Sequence, residues 1–203
     1  MDKPKPQNSK KKKEKNNKLL HLSLGLYATF YPKYYLLETT LKNRLYYLVK
    51  QRLGESWFDD QLNSSKNDTV FKLEADVILR RKPKGFVLKD KGLLVESGLG
   101  IWVEFFNRNL YKELKGVPIL IFPKLPPDIK RKELYKQLSK VKELRNQLFH
   151  YRIPPATKST DVNILIDVNN DLMNLLQWLD VPTGSLASKE FEKKIEAVRK
   201  ALD

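Results

Sequence analysis

The chain has 203 residues, 41% of them hydrophobic, and carries 39 Lys+Arg against 24 Asp+Glu for a formal net charge of +15. That length supports one sizeable core, and the charge favours polyanionic partners, nucleic acid before anionic membrane. With no cysteine and two histidines, disulfides and Cys-type tetrahedral zinc are excluded, ligands for a His-rich metal site are too few, and no apolar run reaches bilayer length.

Residues 1–18 form a polar, lysine-rich stretch with Pro4, Pro6 and the run Lys10 to Lys13. Nothing there can bury a core, so it reads as a disordered basic tail, a phosphate contact or simply a solubilising segment. It lacks a following apolar segment and a small-residue cleavage site, so it is no secretory signal, and the chain reads as soluble and cytoplasmic. Residues 19–203 read as a single domain.

From Leu19 the pattern turns apolar, too dense for a clean stripe, with Gly25 and Pro32 as interruptions. His21, beside leucines, reads as structural. Pro32 opens a helix over 33–53, along which Leu37, Leu41, Leu45, Leu48 and Val49 recur at helical spacing. Gly54 closes it, and Trp57-Phe58 fold back onto it. Residues 59–68 read as a polar loop. Asp68 or Thr69 caps a helix to about 81, which ends in the cationic turn from Arg80 to Gly85. Residues 92–107 read as one apolar helix, in which Gly98 and Gly100 would admit a neighbouring backbone at the cost of helix stability. Residues 108–127 are a proline-rich connector with one helical turn. Asp128 caps a helix to about Arg152, ended by Pro154-Pro155. Further helices cover 161–179 and 186–202, and the fold class is all-α.

The stretch from Lys142 to Arg152 carries the chemistry. Asn146 and His150 are four apart, about 40° from one another around a helix, and so share a face. Arg145 starts on another flank, but its long stem can bring the guanidinium to the same region. A planar donor fork beside an imidazole suits a phosphodiester. The plainer reading is that Arg145 and His150 are cations favoured at the negative end of a helix.

Three separated stretches resemble the Abi-like proteins, a bacterial abortive-infection family of the HEPN superfamily. The first is Leu37-Glu38-Thr39-Thr40-Leu41-Lys42-Asn43-Arg44-Leu45, followed by Gly54, Trp57 and Phe58; Lys42 stands where that family usually has arginine. The second is Glu96-Ser97-Gly98-Leu99-Gly100-Ile101-Trp102-Val103, with Leu99 and Ile101 where aromatics are common. The third is Leu144-Arg145-Asn146-Gln147-Leu148-Phe149-His150, an Arg, polar, His pattern, with Tyr151 where a second histidine often follows.

The resemblance spans roughly residues 20–182 and implies a HEPN-like helical bundle that pairs as a homodimer. Pairing would bring two Arg-polar-His motifs into one cleft of a metal-independent ribonuclease without cofactors. His150 would then act as general base or general acid, Arg145 would stabilise charge on the scissile phosphate, and Asn146 would orient His150 or donate to phosphate. Tyr151, Arg152, Lys42, Arg44, Arg80 and Arg81 are the candidate RNA contacts. Glu38, Asn43, Trp57, Glu96, Gly100 and Trp102 are the candidate structural motif. The product would carry a 2′,3′-cyclic phosphate, and the substrate must be RNA because the 2′-OH takes part. The implied setting is phage defence or toxicity, with an antitoxin or defence-system partner and no membrane. Two other readings stand beside it. One is a non-catalytic RNA-binding or dimerisation module, suggested by the Lys42 and Tyr151 departures. The other is a nucleotidyl- or ligand-responsive regulator whose His150 region is a target for modification or partner docking, with Tyr151 as one candidate acceptor.

Overall fold

The structure is a computed structural model that describes residues 6–65, 69–150, 156, 158–184, 186 and 188–202. Among these there is no strand. In chain order the helices are α1 Pro6–Ala28, α2 Tyr31–Leu53, α3 Trp57–Asn63, α4 Val70–Leu79, α5 Asp90–Glu96, α6 Leu99–Glu104, α7 Arg108–Glu113, a 3-10 segment Val117–Ile121, α8 Arg131–Phe149, α9 Ser159–Trp178 and α10 Ser188–Leu202. The chain is all-helical.

Helix α2 is the axis of the molecule. Leu37, Leu41 and Leu45 recur every four residues, Val49 continues the row, and all four are fully buried. Each such side chain gains roughly 1.5–3 kcal/mol on burial, before the entropy of ordering it is subtracted. Around this stripe pack α3, α5, α6, the 3-10 segment and α9, while α8 lies against α6 and α9. Pro32 sits in the first turn, where its missing N–H costs nothing. Gly54 ends the helix at φ +114°, ψ 151°, with its N–H donating to the Lys50 carbonyl at 3.0 Å. Past it, Phe58 stacks on Tyr46 with ring centres 5.1 Å apart, as the fold-back of Trp57-Phe58 requires.

Several expected elements differ. The lysine-rich stretch is helical from Pro6, and α1 continues through Gly25 to Ala28. No glycine or proline interrupts residues 7–24, lysine is a good helix former, and Leu19 and Leu26 are buried in the core. Helix α1 lies against α10, and Lys15 reaches the Leu202 carbonyl at 3.4 Å. The expected loop at 59–68 contains most of α3. Asp59 and Asp60 occupy its first turn, where the helix dipole favours anions, and Phe58 and Leu62 bury its inner face.

The expected single helix over 92–107 is two, α5 and α6, broken at Ser97-Gly98. The break is held from outside: the Glu74 carboxylate accepts the Gly98 N–H at 2.9 Å, and the buried Ser97 hydroxyl accepts the Trp102 indole N–H at 2.9 Å. No neighbouring backbone approaches Gly98 or Gly100; a Cβ on either would meet open space. Helix α8 begins at Arg131 rather than at Asp128, and its last helical residue is Phe149. The connector holds both α7, capped by the Asn107 side chain, and the 3-10 segment.

An aromatic cluster fills the space between α2, α3, α4 and α6. Trp102 and Phe105 stack at 5.5 Å and 10°. Phe58 and Phe71 close on them, and Trp57 meets Phe71 edge-on at 5.3 Å. Trp102 is therefore a core residue, and Trp57 is a partly buried ring packed against the core. Near the start of α2, Lys33 is only 2% exposed. Its ammonium donates to Asn169 Oδ1 at 2.6 Å and lies 4.8 Å from the centre of the Phe191 ring. Burial pushes the Lys33 amine below its usual range.

Candidate active site

Helix α8 is amphipathic, with Leu134, Leu138, Val141 and Leu144 buried. That stripe sets the rotation of the helix. It turns Arg145 towards α2 and leaves Asn146 and His150 exposed on the last turn. His150 is the capping residue: its backbone N–H donates to the Asn146 carbonyl at 3.1 Å, and its backbone leaves the helical region at φ −102°, ψ 15°.

Arg145 is 22% exposed and faces Glu38 of α2, Nη2 to Oε2 at 3.2 Å. The other oxygen of the same carboxylate holds Lys42 at 3.2 Å, one turn along α2. Lys42 also donates to the backbone carbonyl of Ser97, at the break between α5 and α6. A continuous polar chain thus runs from Ser97 through Lys42 and Glu38 to Arg145, and it joins the three stretches singled out in the sequence. Arg145 Nη1 also donates to Asn146 Oδ1 at 3.4 Å, and its guanidinium lies 5.1 Å from the centre of the Phe149 ring. Its Nε is buried without a hydrogen-bond partner. A guanidinium has five N–H bonds. With Nε–H buried and one bond of each terminal nitrogen committed, one N–H on each Nη is left for a ligand.

Beside this chain lies a pocket of about 230 Å³ lined by Tyr31, Tyr34, Tyr35, Glu38, Thr39, Lys42, Arg145 and Phe149. Tyr34 forms its inner wall. That ring is buried, its hydroxyl donates to the Val141 carbonyl at 3.0 Å, and burial pushes the phenol well above its usual range against the opposing pull of Arg145. No family model, curated protein or solved structure matches the chain.

The other expected RNA contacts are scattered. Arg44 turns inward and donates to the carbonyls of Ile121 and Leu179, which ties α2 to the 3-10 segment and to the end of α9. Both bonds leave from Nη1 of a half-buried guanidinium, so that nitrogen is engaged in holding the fold together. Arg80 and Arg81 are exposed at the end of α4, and neither lines the pocket. Tyr151 and Arg152 lie outside the described residues. Of the expected structural motif, Glu96 pairs with Lys82 at 2.6 Å on the surface, and Asn43 is exposed at the edge of a separate wide groove. Among the described residues no group of three or more His, Asp or Glu side chains is placed to hold a metal ion.

The tyrosines and Phe149 are absent from the site residues picked out by sequence. A signal was there: Tyr31, Tyr35 and Thr39 follow at four-residue spacing, flanked by Glu38 and Lys42 on the same side of α2. Tyrosines on a helix next to a leucine stripe read as core, and only the position of α8 shows that these face an opening.

Proposed function

We propose that the protein is an endoribonuclease of the Abi-like, HEPN type that cuts RNA without a metal and works as a homodimer in abortive infection or as a toxin. One observation carries the reading. The Ser97–Lys42–Glu38–Arg145 chain fixes a guanidinium at the end of α8, on the turn that exposes Asn146 and His150. The net charge of +15 supports a polyanionic substrate.

In this mechanism one His150 imidazole takes the proton of the ribose 2′-OH. The 2′-oxygen attacks phosphorus, the bond from phosphorus to the 5′-oxygen breaks, and the partner's His150 delivers a proton to that leaving oxygen. The products are a 2′,3′-cyclic phosphate and a 5′-hydroxyl. Arg145 donates its uncommitted N–H bonds to the phosphoryl oxygens as their charge grows, and Glu38 holds the fork in place.

Purified protein is expected to cut RNA in EDTA and to leave cyclic-phosphate ends. His150→Ala, with helical content unchanged by circular dichroism, is expected to lose at least about 100-fold in rate. Equal cutting by the two proteins would reject the mechanism. A second reading has its own support. Arg145 already bonds Glu38 and Asn146 and covers Phe149, as a purely structural clamp would. In that case the protein binds RNA in a salt-sensitive way and produces no cyclic-phosphate end.

A further inference from the structure

The pocket beside Arg145 is walled by rings as much as by charges. Tyr31 and Tyr35 are each 60% exposed, one turn apart on the same face of α2. Phe149 faces them from the last turn of α8, and its ring lies 5.6 Å from that of Tyr31 at an interplanar angle of 28°. Tyr34, edge-on to Phe149 at 6.1 Å, closes the inside. The polar edge is Lys42 and Arg145 against the single carboxylate of Glu38, a local excess of positive charge. The volume of about 230 Å³ falls below the roughly 300–1,000 Å³ of pockets for drug-sized ligands, so it suits one planar ring system. Flat π-faces beside cationic donors are what single-stranded nucleic acid uses: bases stack on the rings while the backbone follows the positive charge.

We propose that Tyr31 and Tyr35, with Phe149 packed against Tyr31, form a subsite for one unpaired base of a single-stranded RNA, next to the phosphodiester served by Arg145 and His150. The choice of RNA rests on the nuclease reading above. The subsite makes the substrate single-stranded, because a base inside a duplex has both faces covered by its neighbours. Stacking tolerates every base, so the subsite selects for unpairing rather than for sequence.

The test uses the full chain in a His150→Ala background, so that the probe stays intact. A labelled single-stranded RNA and the same sequence as a duplex are titrated by fluorescence anisotropy. Tyr31→Ala and Tyr35→Ala are each expected to weaken single-strand binding about 5- to 100-fold, and Tyr31→Phe and Tyr35→Phe to restore it. Duplex binding, and the slope of log affinity against log salt, should stay the same because no phosphate contact is lost. Thr39→Leu, which fills the pocket and leaves the tyrosines in place, should reproduce the loss and guards against a folding defect in the alanine variants. Single-strand binding unchanged in all three variants, or an equal loss for both probes, would overturn the subsite.

Parallel cleavage assays in chains that retain His150 separate the two ideas. Tyrosine-dependent single-strand binding by a protein that never cuts RNA keeps the subsite and sinks the nuclease. Cutting with kcat and KM unaltered by the tyrosine variants keeps the nuclease and sinks the subsite.

Discussion

Glu38 is one carboxylate serving two cations, and that makes it the most consequential polar residue beside Arg145. Its side chain and those of Lys42 and Arg145 are each less than a quarter exposed. The pairs therefore sit between surface ion pairs, worth up to about 1 kcal/mol, and buried ones, whose breakage costs about 3–5 kcal/mol. Glu38→Gln is expected to cost about 1–2 kcal/mol in urea unfolding and, if the proposed nuclease mechanism holds, to lower RNA cleavage further than that loss explains, because Arg145 is freed to swing. Lys33 makes the same point inside the core. Asn169→Ala removes the acceptor of a buried ammonium and is expected to destabilise by about 1–3 kcal/mol, measured by thermal or urea unfolding. Neither partnership was legible in the sequence. Glu38 and Arg145 lie 107 positions apart, Lys33 and Asn169 lie 136 apart, and Lys33 beside Pro32 reads as an ordinary surface cation. The residues themselves, Glu38, Lys42, Arg145, Asn146 and His150, stand out in the sequence; that the first three form one chain of contacts does not.

At the scale of elements, legibility followed local chemistry. Helices α2, α4, α9 and α10 carry their own periodicity and their own stops, so their positions follow from Pro32, Gly54, Thr69 and Pro182. Thr69 does accept the Lys72 N–H at 3.2 Å, and Thr69→Ala should cost about 1 kcal/mol. Gly54 occupies a backbone region that side chains avoid, so Gly54→Ala is expected to cost about 1–3 kcal/mol in the same unfolding assay. The elements misjudged are those fixed from a distance. Helix α3 is too short and polar to announce itself, and its reason for existing is the aromatic cluster that receives Phe58. The break between α5 and α6 falls at Ser97-Gly98, between two apolar runs, and Glu74 of α4 accepts the Gly98 N–H there. A bond across 24 residues leaves no mark on local periodicity.

For the molecule as a whole, acid is the sharper probe. Asp90 joins α5 to α2 by accepting from Lys50 at 2.7 Å and from Tyr46 at 2.5 Å. Burial raises its carboxyl, but the hydrogen bonds from Lys50, Tyr46 and the Lys91 N–H together outweigh it and hold the group below its usual range. A carboxyl depressed in the folded state contributes stability above its unfolded value, about 3.9, and loses it as pH falls through the folded one. Asp90→Asn should therefore flatten the stability-versus-pH curve below about pH 4, as followed by urea unfolding across pH. Among the described residues no helix is long and apolar enough to cross a membrane.

The antiparallel embrace of α1 and α10 has a practical corollary. Anyone wishing to ask whether the lysines near the start of the chain grip RNA would be tempted to clip the first helix away. Phe191, Ile195 and Val198 are buried in the same core as Leu19 and Leu26, and the excision would bare them. The shortened protein should self-associate in light scattering, and its lost affinity would report a sticky scar rather than missing charge. Swapping lysines for glutamines ahead of Leu19, with the backbone left whole, asks the question cleanly.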